Sequence, residues 1–417
     1  MNWQYRHTVL LLHFLTWGFI AMDRMLVVFV APQMVPELGF SFTEFGLVMS
    51  ALTVTWAVFA LFGGHISDRI GRVKVVVPAT VFFSLTTWIT GLAGNLGQLL
   101  AIRALIGVGE GAYWGAGIAH IAEAWPASRR GFALGLHQTG FPIFGTFIGA
   151  AFAGYVASIW GWRAVFPVAG VGGIILAFIF WRFIHEPKSF TDRQAAKMAG
   201  DGGKKDSGEI GLKHIGELGR YKDVWINLGV ICAVMVGYWS AYSFLALYLT
   251  QVKGFDIAVA GGVAGITGIF GLLGQWFTGW FSDSLGRKPV LWIVAIGMAV
   301  GTYMIITSTS SVVLVIALAI IGYCGYAPFP LCIGAIPTDI APARLVGTSV
   351  GIAMGVSELA GIAGPIIGGM LNDAYGLSAS FWLAMVAYLV AGFFTIFMRE
   401  SAPSRRAALA AEFTAEP

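Results

Sequence analysis

The sequence predicts an all-α membrane protein with twelve transmembrane helices arranged as two six-helix halves. Its composition is 57% hydrophobic and 11% charged, whereas soluble proteins carry roughly 25% charged residues. Twelve apolar stretches each approach the about 20 residues that a helix needs to cross the hydrocarbon core of a bilayer. A polar motif that occurs twice relates the two halves. The chain has too few polar side chains to cover a water-soluble surface, so we expect lipid to be its solvent.

The repeated motif lies between long apolar segments and recurs after 215 residues. Its first copy consists of Gly64, Asp68, Arg69, Gly71 and Arg72, and its second copy of Gly279, Asp283, Gly286 and Arg287. The repeat indicates that a six-helix unit was duplicated with both halves parallel. We interpret both copies as a conformational latch at the cytoplasmic face, in which glycine permits a tight reversal and arginine holds the turn. A purely topogenic role is the alternative.

The polar stretches set the predicted domain boundaries. We assign residues 1–185 to the N-terminal half, 186–222 to a cytoplasmic linker, 223–400 to the C-terminal half and 401–417 to a cytoplasmic tail. The apolar stretches start near residues 8, 42, 74, 97, 130 and 163 in the first half, and near 224, 257, 289, 311, 346 and 378 in the second.

The basic residues predict the orientation, because Lys and Arg are enriched on the cytoplasmic side of membrane proteins. With the N-terminus inside, only Arg163 and Lys253 fall on the outer side, while Arg24 and Arg103 lie within helices. We therefore predict a multi-pass protein of the plasma (inner) membrane with both termini cytoplasmic. Membrane lipid is then a partner, and we expect a monomer. Without a basic stripe carrying interleaved aromatics, nothing indicates nucleic-acid binding.

The cysteines and the remaining polar residues argue against several other classes. Cys232, Cys324 and Cys332 all lie inside predicted helices, so we expect neither disulfides nor a metal site. No nucleophile–base pair or phosphate-binding loop has usable spacing, so the sequence does not predict an enzyme. We expect no cofactor, with protons as the coupling ion.

Charged residues within the predicted helices are the main functional signal, because each costs at least about 2.5–3.5 kcal/mol at mid-membrane. The five that matter are Asp23, Arg24, Arg103, Glu110 and Glu358. Arg103 and Glu110 are seven residues apart, about 10 Å along one helix face. If helix 1 packs on helix 4, Asp23 can meet Arg103 and Arg24 can meet Glu110. The alternative is a static ion-pair brace between the helices.

Such a cluster can couple proton uptake to anion uptake. Burial favours the neutral form of a carboxylic acid, whereas a neighbouring guanidinium favours its charged form. If an anionic substrate occupies Arg24, then Glu110 or Asp23 loses its countercharge and takes up a proton. Glu358 is either a further proton-coupling site facing the cavity or a protonated group that is hydrogen-bonded within the bundle.

Polar and aromatic side chains near the predicted bilayer centre are candidate substrate contacts. Besides Arg24 and Arg103, these candidates are Trp56, Tyr113, His137, Gln138, Tyr238 and Tyr242. Polar-tipped aromatics of this kind suit a selective cavity. The alternative for each of them is helix packing or a position in the interfacial aromatic belt.

Both latch motifs, together with the stretch Arg103-Ala-Leu-Ile-Gly107-Val-Gly109-Glu110-Gly111, resemble the major facilitator superfamily over essentially the whole chain. Within it, Asp23-Arg24 and the Gly-x-Gly-Glu of helix 4 are similar to the anion:cation symporter family. The resemblance implies the major facilitator fold and proton-driven uptake of an organic anion. It also implies that Asp23 and Glu110 couple protons, that Arg24 binds the anion, and that Gln138 contacts substrate.

Two departures from that family bear on the substrate. Helix 4 continues after Glu110 as Gly-Ala-Tyr-Trp-Gly where the family has proline-rich sequence, and helix 2 lacks Gln-x-Pro before Gly63. These differences favour an aliphatic or aromatic monocarboxylate over a sugar acid. The sequence thus predicts a secondary transporter that imports a small organic anion, a carboxylate, with protons by alternating access. One alternative is a proton-coupled exporter of drugs or metabolites, because Gly140-Phe-Pro142 partly resembles a sequence pattern of such antiporters. The other is a non-transporting membrane sensor.

Overall fold

The computed structural model describes residues 3–187, 190–192, 217–342, 345–403 and 405. Most of the predicted linker at 186–222 and most of the predicted tail at 401–417 lie outside these ranges. The boundaries drawn from the sequence for those two segments therefore stay predictions.

Twelve long helices make up the described part of the chain, which confirms the predicted all-α class. In chain order they are α1 (Tyr5–Leu38), α2 (Phe42–Ile70), α3 (Val73–Thr90), α4 (Leu96–Ala124), α5 (Ala127–Trp160), α6 (Trp162–Phe183), α7 (Lys222–Ser243), α8 (Ile257–Leu285), α9 (Arg287–Thr307), α10 (Ser311–Ile340), α11 (Val346–Tyr375) and α12 (Ala379–Ile396). A short helical segment, Leu245–Gln251, follows α7 after a break at Phe244.

Eleven of these helices are long and apolar enough to cross a membrane. The exception is α4, which has 29 residues and is therefore long enough to span a bilayer as well. Its apolar character is reduced by glycines and by Arg103 and Glu110, which are both buried. The helix that is less apolar than the other eleven, α4, is thus one that carries buried charged residues.

The helices form two compact units. The first contains residues Met1–Gly39 and Leu47–Gly208, and the second contains Phe40–Gly46 and Glu209–Pro417. The first residues of α2 group with the second unit because Asp373 of α11 binds them. Its carboxylate accepts hydrogen bonds from the backbone N–H groups of Phe42 at 2.8 Å and Thr43 at 2.9 Å, which stabilises the positive end of the α2 helix dipole.

Glycines bring helix backbones into direct contact in both units. A Cβ atom on Gly107 of α4 would overlap Thr55 and Leu52 of α2, and one on Gly322 of α10 would overlap Thr267 of α8. Lipid gives apolar helices no solvent-driven reason to associate, so close backbone approach supplies much of the packing energy. Gly107 and Gly322 are 215 residues apart, the same offset as the latch motifs, so this close packing occurs at matching positions of the two halves.

Two helices contain π-helical segments. These are Phe141–Ile148 in α5 and Phe329–Ala335 in α10. Pro142 and Pro330 lie near their starts, and proline cannot donate the backbone hydrogen bond that a regular α-helix requires. The sequence Gly140-Phe-Pro142 therefore coincides with a change of helix geometry. In contrast, α11 stays α-helical through Pro365.

Candidate functional site

A buried ion pair between α1 and α4 forms the centre of the candidate site. Arg24 Nε donates to Glu110 Oε2 at 2.7 Å, with relative side-chain exposures of 6% and 0%. Arg24 Nη2 and Glu110 Oε1 are buried, and neither has a hydrogen-bond partner within the ranges that the structure describes. The guanidinium thus has one edge bound to the carboxylate and donor capacity left over for another acceptor.

The second ion pair expected from the sequence, Asp23 with Arg103, is not formed. Both carboxylate oxygens of Asp23, together with Nε and Nη1 of Arg103, are buried and have no hydrogen-bond partner among the described residues. A cavity of about 10 Å³, the size of one water molecule, adjoins Asp23 and is lined by Ser84 and Thr87. Because unsatisfied buried polar groups are costly, their concentration around Asp23, Arg24, Arg103 and Glu110 indicates a functional site.

An aromatic wall extends from Arg24 through the first unit. We use this name for Trp17, Trp56, Trp114 and His137. The Arg24 guanidinium lies 4.9 Å from the ring centroid of Trp56. Successive ring centroids are then 5.7 Å apart for Trp56 and Trp114, 4.6 Å for Trp114 and Trp17, and 5.7 Å for Trp17 and His137.

Three of the four side chains in the aromatic wall have polar atoms that find no hydrogen-bond partner among the described residues. These buried atoms are both ring nitrogens of His137 and the indole Nε1 atoms of Trp17 and Trp56. The neighbouring Gln138 is partly exposed. The structure thus brings the predicted candidates Trp56 and His137 together with Arg24, and adds Trp17 and Trp114, which the sequence did not single out.

Tyr113 lies apart from this wall and belongs to a histidine network. Its hydroxyl donates to the backbone oxygen of His13 at 3.1 Å and lies 2.9 Å from His13 Nδ1. His13 Nε2 is in turn 3.2 Å from His120 Nδ1. Sequence reasoning missed His13 and His120, although a histidine ten residues before Asp23 within an apolar helix was an available signal.

The candidate tyrosines of the second unit bind to other side chains of that unit. The rings of Tyr238 and Tyr242 are stacked at 5.1 Å with an interplanar angle of 9°. Tyr238 Oη donates to Tyr326 Oη at 3.2 Å, and Tyr242 Oη is 3.0 Å from Thr267 Oγ1. All four side chains are buried. Tyr238 and Tyr242 line a second cavity of about 10 Å³.

Glu358 lies on α11 in the second unit and is partly exposed. The adjacent Ser357 is buried and donates to the Met354 carbonyl at 2.7 Å. Both interpretations of Glu358 given above stay predictions.

The first latch motif forms a network around Arg72. The guanidinium contacts Ser67 Oγ at 2.6 Å, Asp68 at 2.6 Å and Glu123 at 2.9 Å. The backbone N–H of Arg72 donates to Glu186 at 2.7 Å. Burial works against the charged guanidinium, but Glu123 and Asp68 outweigh it and raise the pKa of Arg72. Arg69 is exposed at the end of α2.

The second latch motif repeats this network residue by residue. Arg287 contacts Ser282 Oγ at 2.5 Å, Asp283 at 2.6 Å and Asp339 at 3.1 Å, and its backbone N–H donates to Glu400 at 2.8 Å. The sequence repeat identified the arginines and aspartates. It missed the matching serines, which directly precede the aspartates within the motif, and the more distant carboxylates, which come from other parts of each half.

Replacing Gly71 with alanine is expected to destabilise the fold. Gly71 has a φ angle of 120°, and a Cβ atom there would overlap the Glu186 carboxylate. Backbone strain of this kind costs about 1–3 kcal/mol, so thermal unfolding in detergent should shift to lower temperature. The control is Gly131→Ala, since a Cβ on Gly131 meets nothing within 4 Å. Equal stability of the two variants would contradict this account of the turn.

The fold and the buried ion pair define a class of protein, a multi-pass membrane transporter whose translocation machinery is assembled from helices. The chain belongs to the Major Facilitator Superfamily, whose family model matches residues 13–286 and 272–416. The family resemblance drawn from the motifs is thereby confirmed.

Relatives and solved structures agree with this assignment. The chain is 27% identical to a gallate transporter of Pseudomonas putida, over 91% of this chain and 88% of the relative. It is 26% identical to a cis,cis-muconate transport protein of Acinetobacter baylyi, over 89% and 88% of the two chains. A crystal structure of a bacterial homologue of the human lysosomal transporter Spinster superposes with a TM-score of 0.80, at 20% identity, over 95% of this chain and 98% of that one. These relatives are transporters, which confirms the prediction that the chain is not an enzyme.

Proposed function

We propose that this protein imports a small organic anion, a carboxylate, together with protons by alternating access. The observation that supports this proposal most strongly is the buried Arg24–Glu110 ion pair, which lies beside Asp23 and Arg103. The whole cluster contains two acids and two arginines, so its formal charges sum to zero. A net charge would be costly in this part of the protein. An anion that enters alone makes the cluster negative, and one proton restores neutrality.

Arg24 is the proposed anchor for the substrate carboxylate. Arginine binds carboxylates through parallel N–H···O bonds, and Nη2 of Arg24 has no hydrogen-bond partner in the described part of the chain. Trp56 lies on the face of the guanidinium, which leaves the edge of the guanidinium available for an acceptor.

Glu110 and Asp23 are the proposed proton carriers. Glu110 shares Arg24 with the substrate, so a carboxylate that binds Arg24 removes the countercharge of Glu110 and favours its protonation. Neither carboxylate oxygen of Asp23 meets the geometric criteria for a hydrogen bond to a described residue, and Arg103 is near enough to act on its charge, so Asp23 is the second proposed proton carrier. Glu358 is the further proton-coupling candidate in the second unit.

The substrate that fits the aromatic wall best is a carboxylate with a flat, unsaturated body. Tryptophan and histidine rings next to Arg24 offer surfaces for stacking, and the unpaired nitrogens of His137 can bind a hydroxyl or a second carboxylate. The gallate and muconate named in two relatives are carboxylates of this type. Gln138, Tyr238 and Tyr242 are further proposed contacts.

The cellular setting follows from the same proposal. The distribution of Lys and Arg supports a plasma-membrane location with both termini cytoplasmic. We propose protons as the coupling ion, no other cofactor, and a monomer as the working unit.

Uptake of radiolabelled cis,cis-muconate and of gallate into proteoliposomes tests the proposal. With an acidic exterior, the vesicles should accumulate at least one of these probes above the outside concentration, and the interior should acidify in parallel. Abolishing the proton gradient should stop accumulation but not exchange. Substrate movement against the direction of proton flow would replace this proposal with the exporter alternative.

A further inference from the structure

Two members of the aromatic wall, Trp17 and His137, carry buried polar atoms that require hydrogen-bond partners. Both ring nitrogens of His137 and the indole Nε1 of Trp17 have none among the described residues. The two side chains are 6% and 0% exposed, so they are shielded from bulk water. Buried polar atoms are costly to leave without a partner, and several of them in one place indicate a site that a bound molecule completes.

The two side chains lie against each other. Their ring centroids are 5.7 Å apart, with an interplanar angle of 23°. Trp114 adjoins both of them, with its centroid 4.6 Å from that of Trp17 and 6.3 Å from that of His137. The three nitrogen atoms therefore belong to one compact group of rings, to which α1, α4 and α5 each contribute one side chain.

Helix spacing sets the distance of this group from the Arg24–Glu110 ion pair. Trp17 precedes Arg24 by seven residues on α1, which is two turns and about 10 Å along one helix face. Trp114 follows Glu110 by four residues on α4, which is about 6 Å along the axis. The two helices run antiparallel, because Trp17 contacts Trp114 while Arg24 contacts Glu110. Both tryptophans therefore lie on the same side of the ion pair.

Trp56 of α2 connects the ion pair to this group. Its ring centroid lies 4.9 Å from the guanidinium of Arg24 and 5.7 Å from the ring centroid of Trp114. A molecule that binds along the aromatic wall thus has a charged anchor at one end and ring faces along its length. At its other end it has the nitrogen atoms of Trp17 and His137.

The hydrogen-bonding capacity of these nitrogen atoms matches a hydroxyl group. A neutral imidazole has one donor and one acceptor nitrogen in either tautomer, and an indole nitrogen only donates. A hydroxyl both donates and accepts, so it can pair with any of the three nitrogens. A carboxylate only accepts, and it would leave the acceptor nitrogen of His137 without a partner.

Charge balance also favours a neutral group at this end of the substrate. The cluster around Arg24 contains two acids and two arginines, and one bound carboxylate together with one proton keeps the total at zero. A second carboxylate would bring a further negative charge into the protein interior, where net charge is costly. A hydroxyl needs no countercharge.

We propose that His137 and Trp17 are specificity-determining residues, which bind a hydroxyl group at the end of the substrate opposite its carboxylate. The substrate is then a monocarboxylate whose flat body ends in a hydroxyl. This inference rests on the proposed function and decides between the two groups, a hydroxyl and a second carboxylate, that His137 can bind. Arg24 selects anions, whereas His137 and Trp17 select among carboxylates.

Two probes that differ by one hydroxyl test this assignment. The first, 4-hydroxybenzoate, carries a hydroxyl opposite its carboxylate, and the second, benzoate, lacks it. Thermal unfolding of the purified protein with increasing probe gives the Kd of each, since a ligand that binds the folded state raises its stability. We expect the unmodified protein to bind 4-hydroxybenzoate about tenfold more tightly, because benzoate leaves the nitrogen atoms of His137 and Trp17 unpaired.

The variant His137→Phe keeps a flat ring beside Trp17 and removes both nitrogens. We expect its Kd for benzoate to stay within about twofold of the unmodified protein and the preference for 4-hydroxybenzoate to disappear. Trp17→Phe removes the indole donor and decides the question if His137→Phe does not fold; it should reduce the preference at least about threefold. The matched control is Trp225→Phe, which removes an exposed indole that donates to the Gly219 carbonyl and should leave both Kd values unchanged.

A preference for 4-hydroxybenzoate that persists in either folded variant overturns the assignment. An equal loss of affinity for both probes does so too, because that is the pattern of a packing role. Tighter binding of cis,cis-muconate than of 4-hydroxybenzoate by the unmodified protein replaces the hydroxyl with a second carboxylate and also overturns it.

Failure of the proposed function gives a different result. Binding with the expected preference but without accumulation driven by a proton gradient leaves the hydroxyl site in place and removes the symport proposal. If the unmodified protein binds neither benzoate nor 4-hydroxybenzoate, the hydroxyl site fails, while uptake of cis,cis-muconate or gallate still decides the proposed function.

Discussion

Glu110→Gln is expected to retain exchange of substrate and to lose accumulation driven by a proton gradient. Glutamine has nearly the shape of a protonated glutamate, so Arg24 stays available to a carboxylate. Glutamine cannot give up a proton. The variant therefore blocks the step in which the empty transporter returns with a deprotonated residue 110 paired with Arg24, the contact that measures 2.7 Å for Glu110. We expect accumulation to fall by at least about a hundredfold, to the level set by the external concentration.

The measurement is paired uptake and counterflow of cis,cis-muconate or gallate in the same proteoliposome preparation. Glu37→Gln is the control, because Glu37 has a half-exposed side chain at the end of α1 that pairs with Arg163 and Trp162. It should behave like the unmodified protein in both assays. Uphill uptake by Glu110→Gln at the normal rate would remove Glu110 from the coupling mechanism.

Arg24→Lys is expected to weaken substrate binding and to reduce both exchange and accumulation. Lysine keeps the charge that Glu110 requires but loses the planar fork that binds a carboxylate at two points. The loss of one hydrogen bond to a charged group costs about 1.5–3 kcal/mol, which corresponds to an about 10- to 150-fold higher Kd. Arg24→Ala is less informative, because an unpaired buried Glu110 would also destabilise the fold by about 3–5 kcal/mol.

Thermal unfolding with increasing substrate measures this effect directly, since a ligand that binds only the folded state raises its stability. The shift seen with the unmodified protein should disappear in Arg24→Lys at the same ligand concentration. Arg163→Lys serves as the control, because Arg163 is exposed and pairs with Glu37. An unchanged Kd in Arg24→Lys would show that the substrate carboxylate binds elsewhere.

The two predicted arginine–acid pairs show which contacts of the site could be predicted from the sequence and which could not. Arg24 and Glu110 were predicted to pair because a lone charge in an apolar helix needs a countercharge, and the pair is present. The same argument placed Asp23 against Arg103, and the two charges interact, but no hydrogen bond joins them among the described residues. Charge balance requires that opposite charges be near each other, but rotamers and neighbouring side chains decide which atoms touch.

The aromatic and histidine groups were less predictable. Trp17, Trp56, Trp114 and His137 come from four different helices, and in each helix taken alone an aromatic residue is as compatible with packing or with the membrane interface as with a site. His13 and His120 are 107 residues apart, so their contact is visible only after α1 and α4 have packed. The substrate contact predicted for Tyr113 stays a prediction, and the hydrogen bond from its hydroxyl to His13 was not predicted.

The sequence by itself determined that this protein is a duplicated bundle of membrane-spanning helices with charged residues in its interior. Apolar length, charge scarcity and a repeated latch motif act locally along the chain, and the physics of the bilayer turns them directly into helices. The tertiary structure alone decided which polar atoms are satisfied and which are left free, because that depends on atomic contacts between helices distant in sequence. The polar atoms around Arg24 that have no hydrogen-bond partner among the described residues are the groups on which the proposed transport cycle depends.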